Sequence, residues 1–345
     1  MHSSRRSTVR CAGLVTALVL GGFCLAALAF AAPVGAVTVL SYNVQNLFDD
    51  VDDGLEYDEY RSSSGWDRDA YFARLSRVDE VVRLATGATL VDAIVLQEVE
   101  SPRVALDLSG DFLRRYRHIA SGEPGRTTTQ VVVLTRRAPE MTRAHRAVEV
   151  ELVPGGEPRT VWSSRAVVDV VLAGGKTRLF AAHWKSQSGG TEATAPLRIR
   201  EARLVRGVVA SAPPAAGAAV LLVGDLNESP TADDATGAPA MPAPRTALAT
   251  LTDPIPGLER RFRTLWVDEG FPGSYYFRGA WSRLDHAYLL APPAASSGAL
   301  GTLTPIASAK LLDRSGIPLR YDPRRRFGYS DHLPILVTVT TARSR

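Results

Sequence analysis

Apolar runs that end in a restricted set of polar residues recur along this chain. Leu221-Leu222-Val223 leads into Gly224-Asp225-Leu226-Asn227, and the same arrangement returns in Val39-Leu40-Ser41-Tyr42-Asn43, Ile94-Val95-Leu96-Gln97-Glu98, Leu179-Phe180-Ala181-Ala182-His183 and Arg283-Leu284-Asp285-His286. Tyr329-Ser330-Asp331-His332 reverses the order and precedes an apolar run over 333–339. Short apolar runs of this kind read as buried strands. Carboxylates, carboxamides and imidazoles at six strand edges read as one polar site at the end of a sheet. Helical spacing takes over where Phe72, Leu75, Val78, Val81 and Val82 alternate with charges, predicting an amphipathic helix over 69–85. Leu197, Ala202, Val205 and Val209 predict a second over 194–210, with arginines on much of its other face. Further strands are expected over 131–135, 161–172 and 176–182, the last two joined by a hairpin at Ala173-Gly174-Gly175. Segments 49–67, 229–244 and 291–301 carry the composition of surface loops.

Strands interleaved irregularly with few helices predict an α/β (α+β) protein of two stacked sheets with helices outside. The polar edges run from residue 43 to residue 332 with no repeat or dividing linker, so the two ends of the chain meet at one place. Residues 37–345 are therefore expected to form a single domain. The segment before them is of another kind. Arg5, Arg6 and Arg10 precede an uninterrupted apolar stretch over 11–32, followed by small residues up to Ala36. This is the pattern of an export signal over 1–36 cleaved near Ala36. The stretch is long for a signal core, and an uncleaved membrane anchor is the alternative. Export places the protein outside the cytoplasm, secreted or periplasmic.

Composition changes this picture in two ways. Both cysteines, Cys11 and Cys24, lie in the signal, so the mature chain holds no disulfide, thiolate nucleophile or cysteine-ligated zinc. The 40 basic residues exceed the 36 acidic ones by a margin that the signal largely supplies, because its three arginines leave with it. Attraction to a polyanion must then come from local clusters rather than net charge.

The residues at the strand edges are Asn43, Glu98, His183, Asp225, Asn227, Asp285, Asp331 and His332. Carboxylates and carboxamides without thiols suit a hard cation such as Mg²⁺, with Mn²⁺ or Ca²⁺ as alternatives. The histidines lack zinc-ligand spacing and suit acid–base roles. A hard cation beside histidine acid–base groups is equipment for cleaving a phosphate ester.

The ordered set Tyr42-Asn43-Val44-Gln45-Asn46, Gln97-Glu98, His183-Trp184-Lys185-Ser186, Gly224-Asp225-Leu226-Asn227, Asp285-His286 and Ser330-Asp331-His332 resembles the endonuclease/exonuclease/phosphatase superfamily, in its secreted bacterial type. The superfamily includes pancreatic-type deoxyribonucleases, abasic-site endonucleases, inositol polyphosphate 5-phosphatases and neutral sphingomyelinases. The resemblance covers essentially the whole mature chain and implies a four-layer αββα sandwich with the site at one end of the paired sheets. It implies that Glu98 is the main metal-binding carboxylate, with Asn43 and Asp331 close to the metal or its waters. Asp225 matches the residue that positions or activates the attacking water, and Asn227 the one that orients it. His332 matches the general base or charge-stabilising histidine, Asp285 its orienting carboxylate, and His183 the histidine proposed to protonate the leaving oxygen. His286 has no catalytic counterpart. Thr129 and Gln130 stand near the place where some deoxyribonucleases carry a glutamate that pairs with the acid histidine, and Gln45 stands where many relatives carry an acid near the metal. The second difference leaves the metal count open and favours one ion.

Around this site, Lys185 and the cluster Arg324-Arg325-Arg326 are candidates for substrate phosphate contacts, and aromatics between Tyr275 and Trp281 for stacking on bases or touching lipid. The reading is a secreted, Mg²⁺-dependent phosphodiesterase acting on nucleic acid, with DNA the expected polymer and endonucleolytic cleavage the expected mode. A phospholipid phosphodiesterase of the sphingomyelinase kind and a phosphomonoesterase are the enzymatic alternatives. A non-catalytic binding module on the same fold is the alternative of another class. No protein partner is implied, and a monomer is expected.

Overall fold

The computed structural model describes residues 36–340, apart from 88, 123–126, 152–156, 158, 163–164, 173, 216, 231–245, 268–269 and 292–299. Residues 1–35 of the expected export segment, most of the 229–244 loop and most of the 291–301 loop therefore lie outside the described residues. Among the described residues no helix is long and apolar enough to cross a membrane.

The strands in chain order are β1 (Ala36–Leu47), β2 (Ala93–Val99), β3 (His118–Ser121), β4 (Gln130–Thr135), β5 (Met141–His145), β6 (Val148–Glu151), β7 (Arg159–Trp162), β8 (Val167–Val171), β9 (Thr177–His183), β10 (Ala219–Asp225), β11 (Arg263–Thr264), β12 (Tyr275–Phe277), β13 (Ala280–Ser282), β14 (Asp285–Leu290), β15 (Leu300–Pro305) and β16 (Ile335–Thr340). Two six-stranded sheets form, in the orders β15-β16-β1-β2-β4-β3 and β11-β14-β10-β9-β8-β5. Each has one parallel pair at its centre, β1 with β2 and β9 with β10, and antiparallel strands around it. A parallel pair needs a crossover, and helices α1 (Arg68–Thr86) and α3 (Thr191–Ser211) supply one each; the short α2 (Pro102–Asp107) and α4 (Ala247–Leu251) are the other α-helices among the described residues.

The apolar runs are continuous because the central strands are covered on both faces. Val39, Ala93, Val95, Leu221 and Val223 point into the core between the sheets. The alternate residues Leu40, Ile94 and Leu96 pack with Leu75, Val78 and Val82 of α1. On the far side Val220 and Leu222 pack with Ala202, Val205 and Val209 of α3. Three apolar layers between four layers of secondary structure make the αββα sandwich that the resemblance implies.

Both long helices run one to three residues beyond their predicted ends, α1 starting where the Asp67 carboxylate accepts the Ala70 N–H at 2.8 Å. The apolar segment over 161–172 is two strands rather than one: β7 pairs with β6 in a separate two-stranded sheet, and β8 enters the second six-stranded sheet. Arg283-Leu284-Asp285-His286 does not end a strand either. Asp285 opens β14, because β14 runs antiparallel to β10 and brings its first residue beside Asp225. On α3, Arg198 points inward rather than lying on the outer face. It is buried, donates to Glu228 Oε2 at 2.8 Å and Thr194 Oγ1 at 2.8 Å, and reaches the carbonyls of Lys185 and Thr191. One turn away, buried Glu201 accepts the Lys185 N–H at 3.0 Å. The loops that follow β9 and β10 are thus anchored from behind by a buried polar network on one helix.

Gly224 lies between Ala182 and His286 in this sheet, and a Cβ there would overlap the Ala182 carbonyl oxygen. Its φ of 140° also disfavours any other residue. Gly224→Ala is expected to destabilise the protein by at least about 3 kcal/mol, read from its denaturation midpoint. Burial pushes the Glu201 carboxyl up from 4.5 to about 8, against the Lys185 N–H and the charges of Arg165, Arg198 and Lys185. The folded state then holds a proton that the unfolded chain has lost, so stability falls as pH rises from 4.5 to 8. Glu201→Gln keeps an acceptor for Lys185 and removes the titration, so thermal melts should show it gaining on the wild type across that window and most above pH 8.

Candidate active site

Strand register assembles most of this site. In the second sheet His183 and Asp285 stand directly on either side of Asp225. Asn43 and Glu98 come from the parallel pair of the first sheet, where the β1–β2 register shifts after Asn43 and the β2–β4 register after Leu96. Such bulges re-aim side chains next to functional sites. Glu98 (φ 64°), Gln45 (51°), Asn46 (55°) and Asn227 (53°) all adopt the left-handed region, as do only three other non-glycine residues among those described. Each such residue costs about 1–3 kcal/mol unless its surroundings enforce it. That four of the seven gather here marks the place as one where geometry prevails over local comfort.

Asn43 Nδ2 donates to Glu98 Oε1 at 3.1 Å and to Asp225 Oδ2 at 3.0 Å, while its Oδ1 accepts the Gln45 N–H at 3.0 Å. The two carboxylates fix which way this amide faces. Asp225 Oδ2 also lies 3.5 Å from His183 Nε2 and 3.8 Å from His332 Nε2. Its other oxygen accepts the Asn227 N–H at 2.9 Å. Asn227 Nδ2 in turn donates to the Trp184 carbonyl at 3.1 Å. His332 Nδ1 meets Asp285 Oδ2 at 2.7 Å, and Ser274 Oγ donates to that same oxygen at 2.6 Å. The loop before β16 is fixed by Ser330, whose Oγ donates to the Asn43 carbonyl at 2.8 Å and accepts the His332 N–H at 3.0 Å. The Tyr275 ring packs on His332 with centroids 4.6 Å apart.

Electrostatics separates the two histidines. Burial alone would lower the pKa of His332, but the Asp285 and Asp225 charges and the Asp285 hydrogen bond outweigh it and raise it to about 10. Burial lowers His183 well below 6.5, reinforced by the positive charges of Arg165, His332 and Lys185. Burial also raises the Asp225 carboxyl, against His332 and with Asp285. The arrangement therefore presents an imidazolium, a neutral imidazole and a carboxylate of raised proton affinity around one oxygen.

Seven of the expected residues converge in this way: Asn43, Glu98, His183, Asp225, Asn227, Asp285 and His332. Asp331 joins them through its N–H, which donates to Gln45 Oε1 at 3.0 Å, and its carboxylate lies 3.9 Å from Arg320 Nη2. Gln45 is a loop clamp, since Nε2 donates to the Tyr321 carbonyl and Oε1 accepts from Tyr321. Neither Thr129 nor Gln130 reaches His183: the Gln130 amide donates to the Glu100 carbonyl, and His183 Nδ1 is buried without a hydrogen-bond partner. Lys185 is held at its backbone by Glu201, with its charge felt at His183. The Arg324–Arg326 cluster sits on an outer turn, where Arg326 bonds Asp67 and the Gly65 carbonyl and Arg325 lies 3.5 Å from Asp322. His286 is structural, its Nε2 bonded to the Glu228 carbonyl at 2.8 Å. Ser274 and Arg320 are additions that sequence reasoning missed. Arg320 at least opens the arginine-rich stretch, whereas Ser274 has no periodic signal at all.

Two acidic or histidine trios among the described residues bring ligand atoms within 4.8 Å of one another: Asp225, Asp285 and His332, and separately Asp53, Glu56 and Glu100. In the first, Asp285 is fully buried and its Oδ2 already serves His332 and Ser274. Glu98 and Asp331 keep side chains that are 20% and 21% exposed, and the Asn43 amide joins Glu98 to Asp225. Partly solvated carboxylate oxygens of this kind fit a hard divalent ion.

Comparison with known proteins agrees with this geometry. Among solved structures the chain is similar to a beta toxin from Staphylococcus aureus (TM-score 0.54, 12% identity, covering 87% of this chain and 99% of that one). It is similar also to sphingomyelinase C from Streptomyces griseocarneus (0.53, 16%, 88% and 99%) and to a humanized D. rerio TDP2 (0.50, 18%, 89% and 100%). At these identities the likeness concerns the fold. No curated protein matches the chain in sequence. The model of the endonuclease/exonuclease/phosphatase family matches residues 38–341. The polar strand ends, the two stacked sheets and this match agree: the chain belongs to the endonuclease/exonuclease/phosphatase family, whose members are phosphoester hydrolases.

Proposed function

We propose that the protein is an exported, divalent-metal-dependent phosphodiesterase that hydrolyses nucleic acid. The observation that carries this reading is the convergence on Asp225 Oδ2 of Asn43 and His332, from β1 and the loop ahead of β16 in one sheet, and of His183 from the other. Asp225 has the position and the raised proton affinity to take a proton from the attacking water. His332, held protonated by Asp285 and seconded by Ser274, presents Nε2–H toward the negative charge that builds on the phosphoryl oxygens. The water oxygen forms a bond to phosphorus as its proton passes to Asp225 and the bond to the leaving oxygen breaks, and the departing alkoxide takes its proton from solvent. Neutral His183 stands beside Asp225 as a hydrogen-bonding group on the same face. Glu98 and Asp331 would hold the cation, for which we propose Mg²⁺, and when bound it would polarise a non-bridging phosphate oxygen.

Support for a polymeric anion as substrate comes from the exposed guanidinium groups of Arg320, Arg324 and Arg325 around this end of the sandwich. The sphingomyelinase among the similar structures raises a lipid alternative. One feature of this chain favours it: the β12–β13 hairpin exposes Phe277 at its tip. The same tip carries Arg278 over the Phe277 ring, so an apolar group and a cation share it. The exported location rests on the N-terminal pattern of arginines and apolar residues.

Supercoiled plasmid should be nicked by the protein in Mg²⁺ and left intact in EDTA. Asp225→Ala should reduce turnover by about 10²–10⁴-fold, and His332→Ala by about 10²–10³-fold, with unchanged circular dichroism in both. Intact plasmid beside phosphocholine release from sphingomyelin vesicles would move the protein to the lipid alternative, and full turnover by the His332→Ala protein would overturn the site. Ser274→Ala should lower kcat several-fold and shift the alkaline limb of the pH–rate profile downward, because Asp285 loses a donor that keeps it aimed at His332.

A further inference from the structure

A cleft of about 560 Å³ opens beside the catalytic residues, lined in part by Asn46, Tyr60, Arg320, Tyr321, Arg325 and Phe327. Its volume falls within the range of about 300–1,000 Å³ usual for small-molecule sites. Two of its lining residues touch the catalytic set. The Asn46 N–H donates to Glu98 Oε2 at 2.9 Å, and Arg320 Nη2 lies 3.9 Å from Asp331 Oδ2. The cleft is therefore joined to the catalytic set through Glu98 and Asp331.

The lining combines cations with an available ring. Arg320 and Arg325 keep most of their side chains in solvent, and Phe327 is 54% exposed. Two of the three acids of the wall are engaged, Asp322 by the N–H groups of Arg324 and Arg325 and Asp313 by those of Ser315 and Ile317, while the third, Glu59, is exposed. The turn that carries Phe327 is built to hold still. Asp322 and Phe327 exchange both backbone hydrogen bonds, and Arg326 ties the turn to Asp67 and Gly65 at the start of α1. At Gly328, with φ 93°, any Cβ would run into the Arg320 carbonyl, so the chain closes tightly behind the ring. An exposed aromatic ring on a braced turn, flanked by guanidinium groups, matches the way single nucleotides are gripped: base on ring, phosphate on cation.

We propose that this cleft is a nucleotide subsite, taking the unit next to the scissile phosphate with its base stacked on Phe327 and its own phosphate against Arg320 and Arg325. The proposal rests on the reading of the substrate as nucleic acid. It gives the arginine-rich stretch a different working member, since Arg320 rather than Arg326 faces the site.

Calorimetric titration of the protein in EDTA with dAMP, 2-deoxyribose 5-phosphate and phosphocholine tests it. The expected result is dAMP binding at least about fivefold tighter than the sugar phosphate, with that difference lost in Phe327→Ala and kept in Phe327→Tyr. Arg320→Gln should weaken both phosphate ligands alike. Equal binding of dAMP and sugar phosphate to the wild type, a base-dependent difference that survives in Phe327→Ala, or phosphocholine binding tightest would each overturn the proposal. Plasmid nicking measured alongside separates the two readings. Nicking without base-dependent binding removes the subsite and leaves the nuclease, whereas base-dependent binding through Phe327 with intact plasmid keeps the subsite and removes the nuclease.

Discussion

The Asn43 carboxamide makes one site out of two sheets. Its NH₂ group is shared between a carboxylate of the first sheet and one of the second, at 3.1 and 3.0 Å. Hydrogen bonds to charged groups contribute about 1.5–3 kcal/mol each, and leaving a buried carboxylate without its donor is costlier still. Two acids brought toward each other in a low-dielectric interior repel unless something donates to both. Asn43 can donate because the Gln45 N–H occupies its oxygen and Ser330 holds its backbone carbonyl. The loop before the last strand is thereby tied to the end of the first, and His332 arrives over Asp225 as a consequence.

Behind this face a second tier of buried polar and charged groups keeps the loops in place. Arg198 and Glu201 on α3 hold the segment after His183, and Glu228 accepts the N–H groups of Ala247 and Leu248 while pairing with Arg198. Burying such groups is unfavourable unless every member is satisfied. Here the partners are largely backbone groups, of Lys185 after His183, of Thr191 and of Ala247 and Leu248 at the start of α4, so satisfying the buried polar groups and fixing these segments are the same event.

Much of this was legible in the chain because a strand covered on both faces must be apolar along its length and can be polar only at its ends. That rule located Asn43, Glu98, His183 and Asp225 with little else. It misjudged Asp285, because a polar residue at a strand edge does not say whether the strand begins or ends there; the antiparallel pairing of β14 with β10 decides it. It missed Ser274, whose role depends on the Tyr275–His332 bridge between segments distant in sequence. Arg198 read as one arginine among several on an outer face, since its acid partner lies 30 residues away in a loop. The 161–172 segment read as one strand because apolar content alone cannot show a change of sheet. Within the arginine cluster, Arg326 braces the turn that carries Phe327, a role that only its contacts with Asp67 and Gly65, distant in sequence, reveal.

The pairing of the first strand with the last has a consequence for the order in which the molecule becomes competent. Along β1, Ala36 to Ser41 lie against Thr340 to Ile335 of β16, and Asp331 and His332 stand just ahead of that partner. A ribosome makes the first strand hundreds of residues before its neighbour, and the imidazolium that faces Asp225 comes only with that neighbour. Throughout synthesis the growing chain holds its acids and its amide without the group that opposes them. A chain that stops short of residue 332 lacks that imidazolium, and its first sheet lacks the strand that joins β1 to β15.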